Sequence, residues 1–82
     1  MFSFYHLFVK VDCPYCREAI ELLERQEQKY VITVVDKCEE YLQMVKKQFG
    51  HKTVPVVLDC KSDGSMELVG GSAELHERLE EK

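Results

Sequence analysis

No apolar run in this 82-residue sequence approaches the roughly 20 residues that span a bilayer, so no membrane role is expected. Clustered cations are missing too. The 11 Lys and Arg are scattered and outnumbered by 15 Asp and Glu, for a formal charge of −4. Nucleic-acid binding needs grouped Lys and Arg that release counterions from phosphates, so that class is set aside. The greasy start from Phe2 to Val9 has no basic segment before it and no small-residue cleavage site after it. It is expected to be a strand and not a secretory leader. With only two prolines and four glycines, no linker, repeat or low-complexity stretch divides the chain. One domain over residues 1–82 is expected, soluble and in a reducing, cytoplasmic setting.

Apolar residues make up 45% of the sequence and are spread along its whole length, which supports a packed core and argues against disorder. Phe4 to Val11 reads as a buried strand ended by Asp12 and Cys13. From Pro14 the apolar period becomes helical through Cys16, Ala19, Ile20 and Leu23, with charges on the other faces. Pro14 suits the first helical position, where its missing N–H costs nothing. Tyr30 to Val35 is a second branched run, and strand, helix, strand over this length predicts a parallel βαβ unit.

Asp36, with Glu39 three residues on, predicts a capping box for a second helix carrying Leu42, Val45 and Phe49 and stopping at Gly50. Val54 to Leu58 and Met66 to Val69 are predicted antiparallel strands joined through Asp63-Gly64, a hairpin signal. Ser72 is the expected N-cap of a last helix whose Leu75 and Leu79 face inward. Glu80 to Lys82 is its expected frayed end.

Chemistry concentrates at Cys13-Pro14-Tyr15-Cys16. Disulfide exchange needs a thiolate, and the unpaired N–H groups and positive dipole end at the helix start favour an anion on Cys13. Cys16, one turn further in and more buried, is the expected resolving partner. The four cysteines could instead form two structural disulfides, but a pair three residues apart cannot cross-link distant parts of a fold. A zinc site would need a second pair, whereas Cys38 and Cys60 stand singly and the three histidines show no ligand spacing. Cys38 and Cys60 are read as inert, with redox regulation as the alternative.

Three separated motifs, Cys13-Pro14-Tyr15-Cys16, Thr53-Val54-Pro55 and Gly70-Gly71-Ser72, stand in an order and spacing that resembles the dithiol glutaredoxin family over the whole chain. The resemblance implies an α/β thioredoxin fold, a four-stranded mixed sheet flanked by three helices in the order β-α-β-α-β-β-α. It implies a glutathione-dependent thiol–disulfide oxidoreductase that reduces glutathionylated or disulfide-bonded proteins, with Cys13 and Cys16 as the catalytic dithiol. Glutathione is then a co-substrate, no cofactor is tightly bound, no metal is held, and the protein works as a monomer.

The same resemblance makes Pro55 cis, which nothing local demands, and leaves the Val54 backbone free to pair with the cysteinyl part of glutathione. It assigns Lys10 to a glutathione carboxylate and the thiolate, Tyr15 to the wall of the groove, Lys52 to the glycyl carboxylate, and Thr53 to the proline loop. Gly71, Ser72 and Ala73 would receive the γ-glutamyl carboxylate at a helix N-terminus. Ala73 replaces the polar residue usual in the family, so one contact is either absent or supplied by Glu74. Asp12 stands where Thr or Ser is usual, and its carboxylate opposes a thiolate unless it points to solvent or to Lys10. His51, beside the proline loop, is either an ordinary exposed histidine or a group that tunes the groove. Two other roles within the family are an iron–sulfur cluster-binding module and a dedicated electron donor to a reductase such as ribonucleotide reductase.

Overall fold

The computed structural model describes residues 2–80. Its elements run β1 (Phe4–Val9), α1 (Pro14–Arg25), β2 (Tyr30–Val34), α2 (Glu39–Phe49), β3 (Val56–Cys60), β4 (Met66–Gly70) and α3 (Ser72–Glu80). The strands form one mixed sheet in the order β2-β1-β3-β4, with β1 parallel to β2 and antiparallel to β3, and β4 antiparallel to β3. This is the expected thioredoxin fold.

Strand alternation divides the core in two. Leu7 and Val9 of β1 and Val57 of β3 pack with Cys16, Ala19, Leu22 and Leu23 of α1 and Leu75 and Leu79 of α3. Phe8, Val56, Leu58 and Cys60 turn the other way, onto Leu42 and Val45 of α2. Helices therefore cover both faces, which is why the central strands read as continuous apolar runs.

The punctuation is partly as expected. Gly50 ends α2 in the left-handed conformation, φ 67°, and the Asp63-Gly64 turn is closed by Lys61 and Ser65 with the Asp63 carboxylate accepting from the Ser65 N–H. The capping box at Asp36 does not form. Cys38 is the N-cap of α2 and makes no side-chain cap bond, and Asp36 Oδ1 accepts instead from the Val11 N–H at 2.8 Å. Asp36 thus ties the end of β2 to the loop that carries Cys13. Ser72 is likewise the first residue of α3 and not its cap. Gly71 caps, since its carbonyl accepts from the Leu75 N–H and Glu74 reaches back to its N–H at 2.7 Å. Strand β3 starts two residues later than expected, after the Val54–Pro55 peptide bond, which is cis. Glu81 and Lys82 of the expected frayed end lie outside the described residues.

Arg78 of α3 fastens that helix to the hairpin, donating to Asp59 at 2.9 Å and to Glu67 at 3.3 Å, while Lys61 bonds the same two carboxylates from the loop side. Asp59 is the least exposed member, with 15% of its side-chain surface free, so its desolvation makes Arg78 matter more than a surface pair would. Arg78→Ala is expected to lower stability by about 1 kcal/mol. Urea unfolding measures this, and Lys61→Ala should shift the midpoint less.

Candidate active site

The dithiol is positioned by the β1 to α1 junction. Cys13 is extended at φ −138° and ψ 108°, as an N-cap should be, and Pro14 follows as the first helical residue. Its carbonyl accepts from the Arg17 N–H at 3.0 Å and its sulfur accepts from the Cys16 N–H at 3.2 Å. A thiol at an N-cap takes the place usually held by a serine or aspartate oxygen, so a negative charge on Cys13 Sγ meets a donor already aimed at it. Cys13 is half-buried.

Cys16 is only 2% exposed and sits among Leu7, Val9, Ala19 and Leu23. Burial pushes its thiol up to about 12, reinforced by the hydrogen bond with Cys13, while the Lys10 backbone acts in the opposite direction. The two sulfurs are therefore chemically unequal, one half-buried and facing a donor, the other buried and held protonated. All four cysteines are free thiols. Cys60 is buried beneath α2 and its thiol is also pushed up by burial, which fits an inert residue. Asp12 is exposed, and no ion pair joins it to Lys10.

Two grooves reach the dithiol segment, one at Tyr15 and the other at Cys13 and Cys16. One, of about 300 Å³, is lined by Tyr15, His51, Thr53, Val54, Pro55, Gly71, Ser72, Ala73 and Glu74. Seven of the sequence candidates thus meet in one place, although they come from three separate stretches of chain. Tyr15 is 65% exposed, so it serves as a wall and not as core. The second groove, of about 230 Å³, takes in Lys10 together with Cys13, Cys16, Arg17 and a ring of Val and Ile side chains. Lys52 lies in neither. It shares a third concavity with Gln43, Lys46, Lys47, Gly50 and His51 at the end of α2, and only His51 belongs to both that concavity and the first groove. Among the described residues no group of three or more His, Cys, Asp or Glu side chains is gathered to hold a metal ion.

The glutaredoxin family's sequence profile matches residues 6–59, a span that takes in the dithiol, the first helix and the proline loop and stops before the diglycine turn. The chain belongs to the glutaredoxin family. As a glutaredoxin it is a thiol–disulfide oxidoreductase, and the unequal pair of sulfurs at the head of α1 is the part of the fold suited to that chemistry. No curated protein sequence matches the chain.

Two groove residues of this glutaredoxin carry more than the motifs suggest. The Glu74 carboxylate, held below its ordinary range chiefly by the Gly71 N–H and then by its own backbone, places a fixed negative charge on the groove wall. The Gly71-x-x-Glu74 spacing of a capping box was the available signal for it. His51 Nε2 lies 3.4 Å from Thr53 Oγ1 and faces Gly71, so it is a groove residue and not a free surface histidine. Gly70 has φ +126°, a backbone conformation that favours glycine, and a Cβ there would also press on the Glu74 side chain at 2.9 Å.

Proposed function

We propose that this glutaredoxin reduces glutathionylated proteins and protein disulfides with glutathione as its co-substrate. The observation that carries the reading is the groove itself. Its walls combine an aromatic ring at Tyr15, two residues along the chain from the N-cap Cys13, the strand-like backbone around Val54, and the start of α3 at Gly71 to Ala73. An extended tripeptide with a central thiol and a carboxylate at each end suits such a surface. The backbone near Val54 pairs with its middle, and the start of α3 receives one end. The Glu74 carboxylate faces the same end and suits the α-ammonium of a γ-glutamyl group.

In the first step the Cys13 thiolate attacks the glutathione sulfur of a mixed disulfide. The Cys13–glutathione S–S bond forms, the substrate S–S bond breaks, and the target leaves as a thiolate that takes a proton from water. A second glutathione thiolate then attacks the glutathione sulfur on Cys13, releasing oxidised glutathione and regenerating the Cys13 thiolate. For a protein disulfide Cys16 takes the second role, giving up its proton as it attacks Cys13 Sγ. Two electrons leave the dithiol in that route, and two glutathiones restore them.

Reduction of the mixed disulfide between glutathione and cysteamine, with glutathione as reductant, tests the reading. Turnover that saturates with glutathione mixed disulfide is the expected result. Absence of turnover while two thiols remain titratable in the folded protein would overturn it.

A further inference from the structure

The second groove shares no residue with the first and contains Cys13 itself, and of its lining only Lys10 is among the residues that the family resemblance assigns to glutathione. Its floor is apolar and exposed, with Val11 69% and Val34 55% accessible and Ile32 beside them. Its charged side chains are Lys10 and Arg17, neither of which enters an ion pair among the described residues. The Asp36 carboxylate nearby is engaged by the Val11 N–H. The lining is therefore cationic on a chain whose net charge is negative, with the exposed Asp12 and the Asp36 carboxylate standing outside it.

The strand supplying Ile32 and Val34 is β2, which terminates the sheet and pairs only with β1. Edge strands are ordinarily protected by proline, charge or a covering element, because their outer N–H and C=O groups invite another strand. Tyr30–Val34 has no proline and no charge, and Val31 on its other face is 48% exposed. An open apolar edge, two cations without an ion pair among the described residues and the reactive sulfur thus meet at one groove.

We propose that this groove and the β2 edge dock the polypeptide of the disulfide-bearing target, and that the preferred target segment is extended, rich in branched apolar residues, and acidic next to its cysteine. The backbone adds to β2 as a fifth strand, apolar side chains cover Ile32 and Val34, and the carboxylate sits between Lys10 and Arg17. The proposal rests on the oxidoreductase reading and adds the target class to it. Cys13 attacks the target sulfur lying at the mouth of the groove, and Cys16 then displaces it. Both target sulfurs leave as thiols, while the dithiol becomes a Cys13–Cys16 disulfide that two glutathiones reduce.

Two peptides, Val-Ile-Val-Asp-Cys and Val-Ile-Val-Lys-Cys, each offered as its symmetrical disulfide, test this with glutathione as the final reductant. The aspartate peptide is expected to show a KM about tenfold lower than the lysine peptide, the scale of one charge pair at a partly desolvated contact. Arg17→Glu should cancel or reverse that preference, and Val34→Lys should raise KM for both peptides. Val34→Lys should leave turnover of the glutathione–cysteamine mixed disulfide unchanged, which also reports that it is folded, whereas Arg17→Glu brings a carboxylate near Cys13 and is read only by the ratio of the two peptide KM values. Equal KM values for the two peptides in the unaltered protein overturn the proposal, as does an equal effect of Val34→Lys on both kinds of substrate. A wild-type dimer that Val34→Lys dissociates overturns it as well, since the edge then belongs to a second copy of the chain. Failure of the cysteamine assay in the unaltered protein would instead count against the glutathione reading.

Discussion

Cys13→Ser will abolish reduction of both glutathione mixed disulfides and peptide disulfides, a loss of about a thousandfold or more, while Cys16→Ser will remove only the second activity. The asymmetry follows from the two environments. Cys13 holds the N-cap position and its sulfur receives the Cys16 N–H, so it has the donor that a thiolate needs and the exposure that an attacking group needs. Serine there keeps the cap hydrogen bond but supplies an alcohol that stays protonated at neutral pH. The fold should therefore survive while turnover does not.

Cys16 is different because burial keeps its proton on. Once Cys13 is locked in a mixed disulfide, the part of that effect due to Cys13 is relieved but the burial remains. Resolution by Cys16 is then slow enough for a second glutathione to compete at the exposed glutathione sulfur. Separate assays of the cysteamine mixed disulfide and of a peptide disulfide distinguish the routes. If Cys16→Ser lost both activities equally, the single-thiol route would be wrong.

Local chemistry was legible wherever one residue type has one good use. Pro14 after Cys13 announced the helix start, the period change from Val11 to Cys16 announced the change from strand to helix, and Asp63-Gly64 announced the hairpin. What sequence could not decide was competition for a polar group. Asp36 fits a capping box by spacing, yet the Val11 N–H reaches it from a chain segment 25 residues away and takes it. Gly71 and Ser72 are both acceptable caps, and Glu74 decides between them by bonding the Gly71 N–H.

The site shows the same division. Tyr15, Val54 and Gly71 could be placed in one groove because each lies in a recognisable motif, whereas Lys52 falls outside because α2 ends just before it and turns it toward Lys46 and Lys47. Ile32 and Val34 carried no signal. They look like ordinary strand residues, and only the strand order makes β2 an edge and brings them beside Cys13.

Stability should also fall steeply in alkali, and much of the fall should vanish in Cys16→Ser. An ordinary cysteine thiol loses its proton near 9, and the buried Cys16 does so near about 12. Between those values the unfolded chain has released the proton and the folded chain still binds it, so each rise of one pH unit shifts the equilibrium toward unfolding about tenfold. The contribution is complete below pH 9, is lost progressively above it, and ends as pH passes the folded value. By pH 11 the folding constant should be lower by about two powers of ten on this account alone. Tyr5 and Cys60 are also shifted upward by burial, but they act equally in both proteins and cancel in the difference. Urea midpoints of the reduced wild type and Cys16→Ser, taken at pH 8 and pH 11, measure that difference. Parallel lines would mean that Cys16 ionises in the folded state as easily as in the unfolded one. The resolving thiol would then be far less sealed than its place between α1 and the sheet requires.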